Sequence, residues 1–175
     1  MEACTETECA VRLLGLGNEL LADDAFGILV AREVERRQAP DSPDRACPAP
    51  TTGEATPPAA DIVCSSASGF HLLDQVLGVK RLVVVDTLAT RASVPGTIHV
   101  FRAEFGGSAG AAPHFVGLFD VLATAASLGL PAPREVTIIG VEAADCVTVG
   151  GEMHPDVRAA IGKAVEIAEA LLAPS

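Results

Sequence analysis

Two aspartates and one histidine stand where chemistry gathers in alternating α/β sequences. Asp24 follows the glycine turn of "GLGNELLADDAFG" (15–27), Asp86 closes the apolar run "LVVVD", and His114 lies in a loop directly before a helical pattern. In open α/β sheets, sites form in the loops outside the carboxyl ends of strands, so these three residues can converge at one rim. Two carboxylates and an imidazole make an oxygen/nitrogen set suited to a borderline divalent metal, including one that arrives already bound to a partner. Each residue also has a plainer role. Asp is a favoured helix N-cap, and Asp23 would serve as well as Asp24, which leaves one of the two surplus to capping. An aspartate ending a buried strand often accepts backbone hydrogen bonds, and a histidine beside a helix start is more often a satisfied polar residue than a ligand. The case rests on the three jointly. His71, His99 and His154 read as structural, His154 as a cap or exposed residue before the terminal helix.

Other chemistries find less support. Gly15 and Gly17 open like a dinucleotide-binding turn, which would make the protein an oxidoreductase. That fingerprint needs a third glycine three residues after the second, and position 20 is Leu. Asp23 and Asp24 would also repel a pyrophosphate at a helix N-terminus, which otherwise attracts anions. There is no GxSxG elbow for a serine nucleophile and no HExxH zinc motif. The five cysteines, Cys4, Cys9, Cys47, Cys64 and Cys146, form no CxxC pair, so neither a zinc cluster nor a disulfide framework is indicated.

The elements that must position the three residues are legible from periodicity. "VRLLGL" (11–16), "DIVCSS" (61–66), "KRLVVVDT" (80–87), "PGTIHVFRA" (95–103) and "REVTIIGVEA" (134–143) read as strands, the third as one covered on both faces. Phe26, Leu29, Val30 and Val34 recur at helical spacing. Helices are also expected over 69–78, over 115–129 with a stop at Gly129, and over 155–172 with Pro155 in the first turn. Strands alternating with helices predict an α/β domain whose central sheet carries helices on both faces. The short spacing between strands 80–87 and 95–103 suggests an antiparallel pair, hence a mixed sheet. The segment 38–60 holds six prolines and no periodicity, and reads as an exposed, flexible insertion within one domain of residues 1–175.

Composition narrows the partners. A net charge of −11 argues against nucleic acid and against anionic membrane surfaces. No apolar run is long enough to span a bilayer, and the acidic, polar N-terminus is unlike a secretory signal, so the expected location is the cytoplasm. No Trp or Tyr is present to build a stacking platform.

"GLGNELLADDAFG", "VVVDTLATRASVPGTIHVFRAE", "APHFVGLFDVLATAASLGLP" and "EVTIIGVEA" occur in the order and spacing of the [NiFe]-hydrogenase maturation endopeptidases, which the chain resembles over roughly residues 11–172. The resemblance implies a three-layer α/β/α fold (phosphorylase/hydrolase-like) with a twisted, mixed, five-stranded sheet. It implies a peptidase, aspartyl-protease-like in its use of carboxylates, that removes the C-terminal extension of a hydrogenase large-subunit precursor after nickel insertion. Asp24, Asp86 and His114 fall on the family's three metal-contacting positions and would carry both catalysis and nickel contact, the nickel being supplied by the precursor. On that reading Asp23 is the cap and Asp24 the metal contact, and the glycines form a tight strand-to-helix turn beside a bound protein tail. A monomer acting on a larger partner is expected. Two departures stand out. The proline-rich insertion at 38–60 is longer than the family leads one to expect, either a solvated loop or a shape for recognising one large subunit. Relatives also carry an acidic, glycine-rich stretch of the type DGGT-x-G after the second strand, near the substrate. Here "CSSASGF" replaces it, with Cys64 where the Asp would stand. The competing reading from another class is a non-catalytic protein that binds or escorts the nickel-loaded subunit; only a protease would shorten its partner.

Overall fold

Leu13 and Leu14 are both fully buried, although neighbours along a strand point to opposite faces of a sheet. Leu82 and Val83 repeat the pattern. Both faces of the sheet are therefore covered. The computed structural model describes residues 9–39, 60–104 and 116–173. In chain order the elements are β1 (Cys9–Leu16), α1 (Phe26–Gln38), β2 (Asp61–Ser65), a 3-10 turn (Gly69–Leu72) running into a short α2 (Leu73–Val76), β3 (Val79–Leu88), β4 (Ile98–Glu104), α3 (Val116–Ser127), β5 (Glu135–Glu142) and α4 (Pro155–Leu172). Most of the proline-rich stretch lies outside the described residues, and so does His114.

The five strands lie in the order β2-β1-β3-β5-β4. The first four in that row are parallel, and β4 runs antiparallel to β5. The sheet is thus mixed and five-stranded, as expected, but the antiparallel partner differs. Strand β4 pairs with β5 rather than with β3, because β5 takes the place between them. Apolar burial explains the choice: Val136, Ile138, Ile139 and Val141 of β5 are all within 1% of complete burial, so this strand needs neighbours on both sides. Strand β4 carries exposed Val100 and Arg102, which suits an edge.

On one face α1 and α4 pack over Leu13, Val83, Val85 and Ile139 through Phe26, Val30, Val34, Val157, Ala164 and Val165. On the other, α3 and the 69–76 segment cover Leu14, Leu82, Val84 and Ile138 through Leu122, Val121, Leu72 and Val76. This is the three-layer α/β/α arrangement. The helix expected over 69–78 is shorter and starts as 3-10, since within it only Leu72 and Val76 are buried and Gly78 ends it at φ 74°. At the end of α3, Gly129 adopts φ 67°. Its amide donates to Ala126 O at 3.1 Å and that of Leu130 to Ala125 O at 2.9 Å, the paired bonds of a glycine C-cap. No described helix is long and apolar enough to cross a membrane.

Candidate active site

The carboxyl ends of β1 and β3 lie side by side in the parallel sheet, and the chain leaving β1 must bend back to bring Asp24 to the end of β3. Gly17 makes the bend possible. It has φ 148°, and a Cβ there would overlap the carbonyl oxygen of Asp24. Its amide donates to Ser65 O at 3.1 Å, and the amide of Asn18 donates to Asp24 O at 3.2 Å. With its N–H committed to β2, Gly17 has no amide of its own to offer a pyrophosphate. Gly15 and Gly27 serve packing instead: a Cβ on Gly15 would overlap Gly27 O, and one on Gly27 the carbonyls of Leu16 and Val85. Helix α1 therefore rests backbone-to-backbone on β1 and β3.

The two adjacent aspartates separate completely. Asp23 is fully buried, and its carboxylate accepts the amides of Ala144 and Asp145 at Oδ2, both at 2.8 Å, and that of His154 at Oδ1, 2.6 Å. It is not the side-chain cap of α1, whose N-cap is Ala25 without a side-chain hydrogen bond. Only the Asp23 carbonyl serves the helix, accepting the Phe26 amide at 3.1 Å. The capping expectation fails because the loop after β5 offers three unpaired N–H groups, a larger demand for an acceptor than one helix terminus makes. The loop 18–24 is stitched to that segment further by Ala22 N to Thr148 O, 3.2 Å, and Asp23 N to Asp145 O, 2.9 Å.

Asp24 faces the other way. Its carboxylate Oδ1 accepts the Thr87 hydroxyl at 2.9 Å, and the amide of the same Thr87 donates to Asp86 Oδ1 at 2.7 Å. Asp24 and Asp86 line one cleft of about 360 Å³, together with Gly17, Asn18, Ser66 and Gly117. Burial pushes the Asp86 carboxyl up to about 7, with the Thr87 amide working against the shift and the charge of Asp24 adding to it. A carboxyl that titrates near neutrality can give or take a proton at working pH. Among the described residues no three His, Cys, Asp or Glu side chains are gathered as a metal-holding cluster. The two aspartates supply oxygen donors, and the third expected member, His114, precedes the cleft-lining Gly117 by three positions in sequence.

The 66–69 loop, part of the departure "CSSASGF", also lines this cleft through Ser66, Ala67, Ser68 and Gly69. Cys64 faces an adjoining cavity of about 360 Å³ instead, beside Glu19 and Arg32, which pair at 2.5 and 2.8 Å. Burial pushes the half-buried Cys146 thiol up to about 11, opposed by the Thr87 side chain and reinforced by Asp24, Asp23 and Asp86. At that value the thiol, the less nucleophilic of its two forms, prevails at neutral pH.

Sequence reasoning missed Thr87 and Glu142. A β-branched residue after Asp86 reads simply as more strand. Glu142 closes an apolar strand yet is 1% exposed; its carboxylate accepts Thr90 Oγ1 at 2.5 Å, Arg91 N at 2.6 Å and Ser93 Oγ at 3.3 Å. Burial opposes its ionisation, but those donors prevail and hold it below the usual carboxylate range. Of the other histidines, His154 caps α4, accepting Asp156 N at 3.3 Å, and His99 bonds Ser93 and stacks on Phe101, while His71 is exposed in the 3-10 turn.

Comparison with known proteins gives the family and the fold. Residues 54–171 match the family model described as hydrogenase maturation protease. A hydrogenase expression/formation protein, HupM, of Azotobacter chroococcum is 31% identical over 93% of the chain and 71% of its own length. The hydrogenase 2 maturation protease of Escherichia coli is 27% identical over 75% of the chain and 71% of its own. Among solved structures, the hydrogenase maturating endopeptidase HybD of E. coli superposes with a TM-score of 0.69 at 27% identity, covering 93% of this chain and 91% of that one. HybD of Thermococcus kodakarensis gives 0.66 at 26% identity, over 94% and 99%. The chain is thus a peptidase and belongs to the hydrogenase maturation protease family.

Proposed function

We propose that the protein is the endopeptidase that removes the C-terminal extension of a [NiFe]-hydrogenase large-subunit precursor once nickel has been inserted. The observation that carries this is the pair Asp24 and Asp86 facing one cleft, linked through a single residue, Thr87. In this reading the two carboxylates, with His114, meet the nickel that the precursor brings, so that the scissile bond lies beside the metal only when the metal is present. Burial raises the Asp86 carboxyl to about 7 in the protein without metal; ionised beside the nickel, it accepts a proton from the attacking water and returns it to the leaving amine. The cleft is open at the rim and bordered by a loop of small residues, Ser66 to Gly69, which leaves room for an extended protein tail. We place the reaction in the cytoplasm and assign it to a monomer. Membership of a protease family and a proton-carrying carboxyl together favour catalysis over escort of the loaded subunit.

The test is mass spectrometry of a large-subunit precursor, nickel-loaded or nickel-free, incubated with the protein. Nickel-dependent loss of the C-terminal extension is expected from the native enzyme, and none from Asp24→Asn, which removes a charge but no packing. Full trimming by that variant would remove Asp24 from the reaction.

A further inference from the structure

We infer that Thr87 is the positioning residue of this active site, fixing both aspartates relative to one another before substrate arrives. The inference rests on the protease reading above and adds a residue to it. Thr87 sits in β3, which has parallel neighbours on both sides, β1 and β5, and is in register with Val141 of β5. At that level β3 pairs with β5 alone, since the ladder to β1 ends at Val85, but Thr87 is still held by a regular strand, whereas Asp24 hangs on the irregular 18–25 segment. A β-branched side chain is stiff about χ1, so the hydroxyl is a fixed point rather than a swinging one. From that point the hydroxyl donates to Asp24 Oδ1 at 2.9 Å, while the amide donates to Asp86 Oδ1 at 2.7 Å. One residue thus ties the loop-borne carboxylate to the strand-borne one.

The two bonds separate cleanly in experiment, because only the hydroxyl can be mutated away. Thr87→Val keeps shape and branching and deletes the bond to Asp24; Thr87→Ser keeps the hydroxyl. Loss of alignment in a reacting geometry costs rate more than binding, up to roughly a hundredfold for an ångström-scale misplacement. Steady-state cleavage of the nickel-loaded precursor should show kcat lowered at least about tenfold in Thr87→Val, and Thr87→Ser close to the native enzyme. A readout independent of turnover is the carboxyl 13C resonance of Asp24 in the substrate-free protein, expected to move in Thr87→Val and to stay in Thr87→Ser. Native kcat in Thr87→Val, an unmoved Asp24 resonance, or a serine variant as impaired as the valine variant would each overturn the assignment. If the native enzyme and all variants leave the precursor uncut, the protease reading fails instead, and the Asp24 resonance alone still decides whether Thr87 holds that carboxylate.

Discussion

Asp23 and Asp24 show how much one position along a chain can change a residue's physical task. Asp23 lies in full burial with three backbone donors around it; Asp24 lies on a cleft with a hydroxyl donor. Bonds to a charged acceptor contribute about 1.5–3 kcal/mol each, and orphaning buried amides costs more than the mean bond is worth. Asp23→Asn turns one of the two acceptor atoms into a donor facing an N–H, so it should lower the unfolding free energy by about 3 kcal/mol or more. Asp24→Asn should change it by less than about 1 kcal/mol. Urea denaturation of the two variants checks the contrast, and comparable losses would show that the two carboxylates share a structural role. The sequence flagged both residues through their charge at an α/β turn, yet assigned the cap to Asp23. That assignment could not be right from local signals, because the three amides that claim Asp23 come from a segment more than a hundred residues away. Thr87 was illegible for a related reason: its hydroxyl has a partner only once β1 and β3 are adjacent.

At the scale of elements, what periodicity reports is burial, and burial predicted the strands and long helices to within a few residues. What it does not report is order in the sheet. The inner place of β5 and the edge place of β4 follow from how much apolar surface each must hide, a comparison between segments rather than a property of either. The close approach of α1 to the sheet is a third case, where a local and a tertiary effect oppose one another. Gly27 opens α1, and Ala in a helix is favoured over Gly by about 1 kcal/mol. A Cβ at that position, however, would overlap two backbone carbonyls, Leu16 O and Val85 O, and backbone in the middle of a parallel sheet has little freedom to retreat. Overpacking typically costs 1–3 kcal/mol, occasionally more, which exceeds the propensity gain. Gly27→Ala should therefore destabilise by about 1–3 kcal/mol, read as a lower urea midpoint. A variant more stable than the native protein would mean that α1 can lift off the sheet freely, and the cleft walls would then be softer than the packing suggests.

For the molecule as a whole, the cleft imposes a thermodynamic load that pH can reveal. Asp86 titrates at about 7 in the fold, chiefly through burial, against about 3.9 in an unfolded chain. Its folded pKa is raised, so between those values the native state holds a proton that the unfolded state has released. Stability is then highest below about pH 4, falls by at most about 1.4 kcal/mol per pH unit as pH rises, and levels off above about 7. The chain's net charge of −11 adds self-repulsion over the same range, so the slope of the native protein alone does not isolate Asp86. The difference between the native protein and Asp86→Asn does, since most other groups are common to both. The variant should match the native protein near pH 4 and exceed it by roughly 3–4 kcal/mol at pH 8, in urea unfolding followed across pH. A pH-independent difference would place the Asp86 carboxyl in its ordinary range and remove its fitness as proton carrier. The expected outcome couples the two properties: Asp86→Asn is more stable above neutrality and inactive on the precursor, because the burial that strains the carboxylate is what brings its proton into the working range.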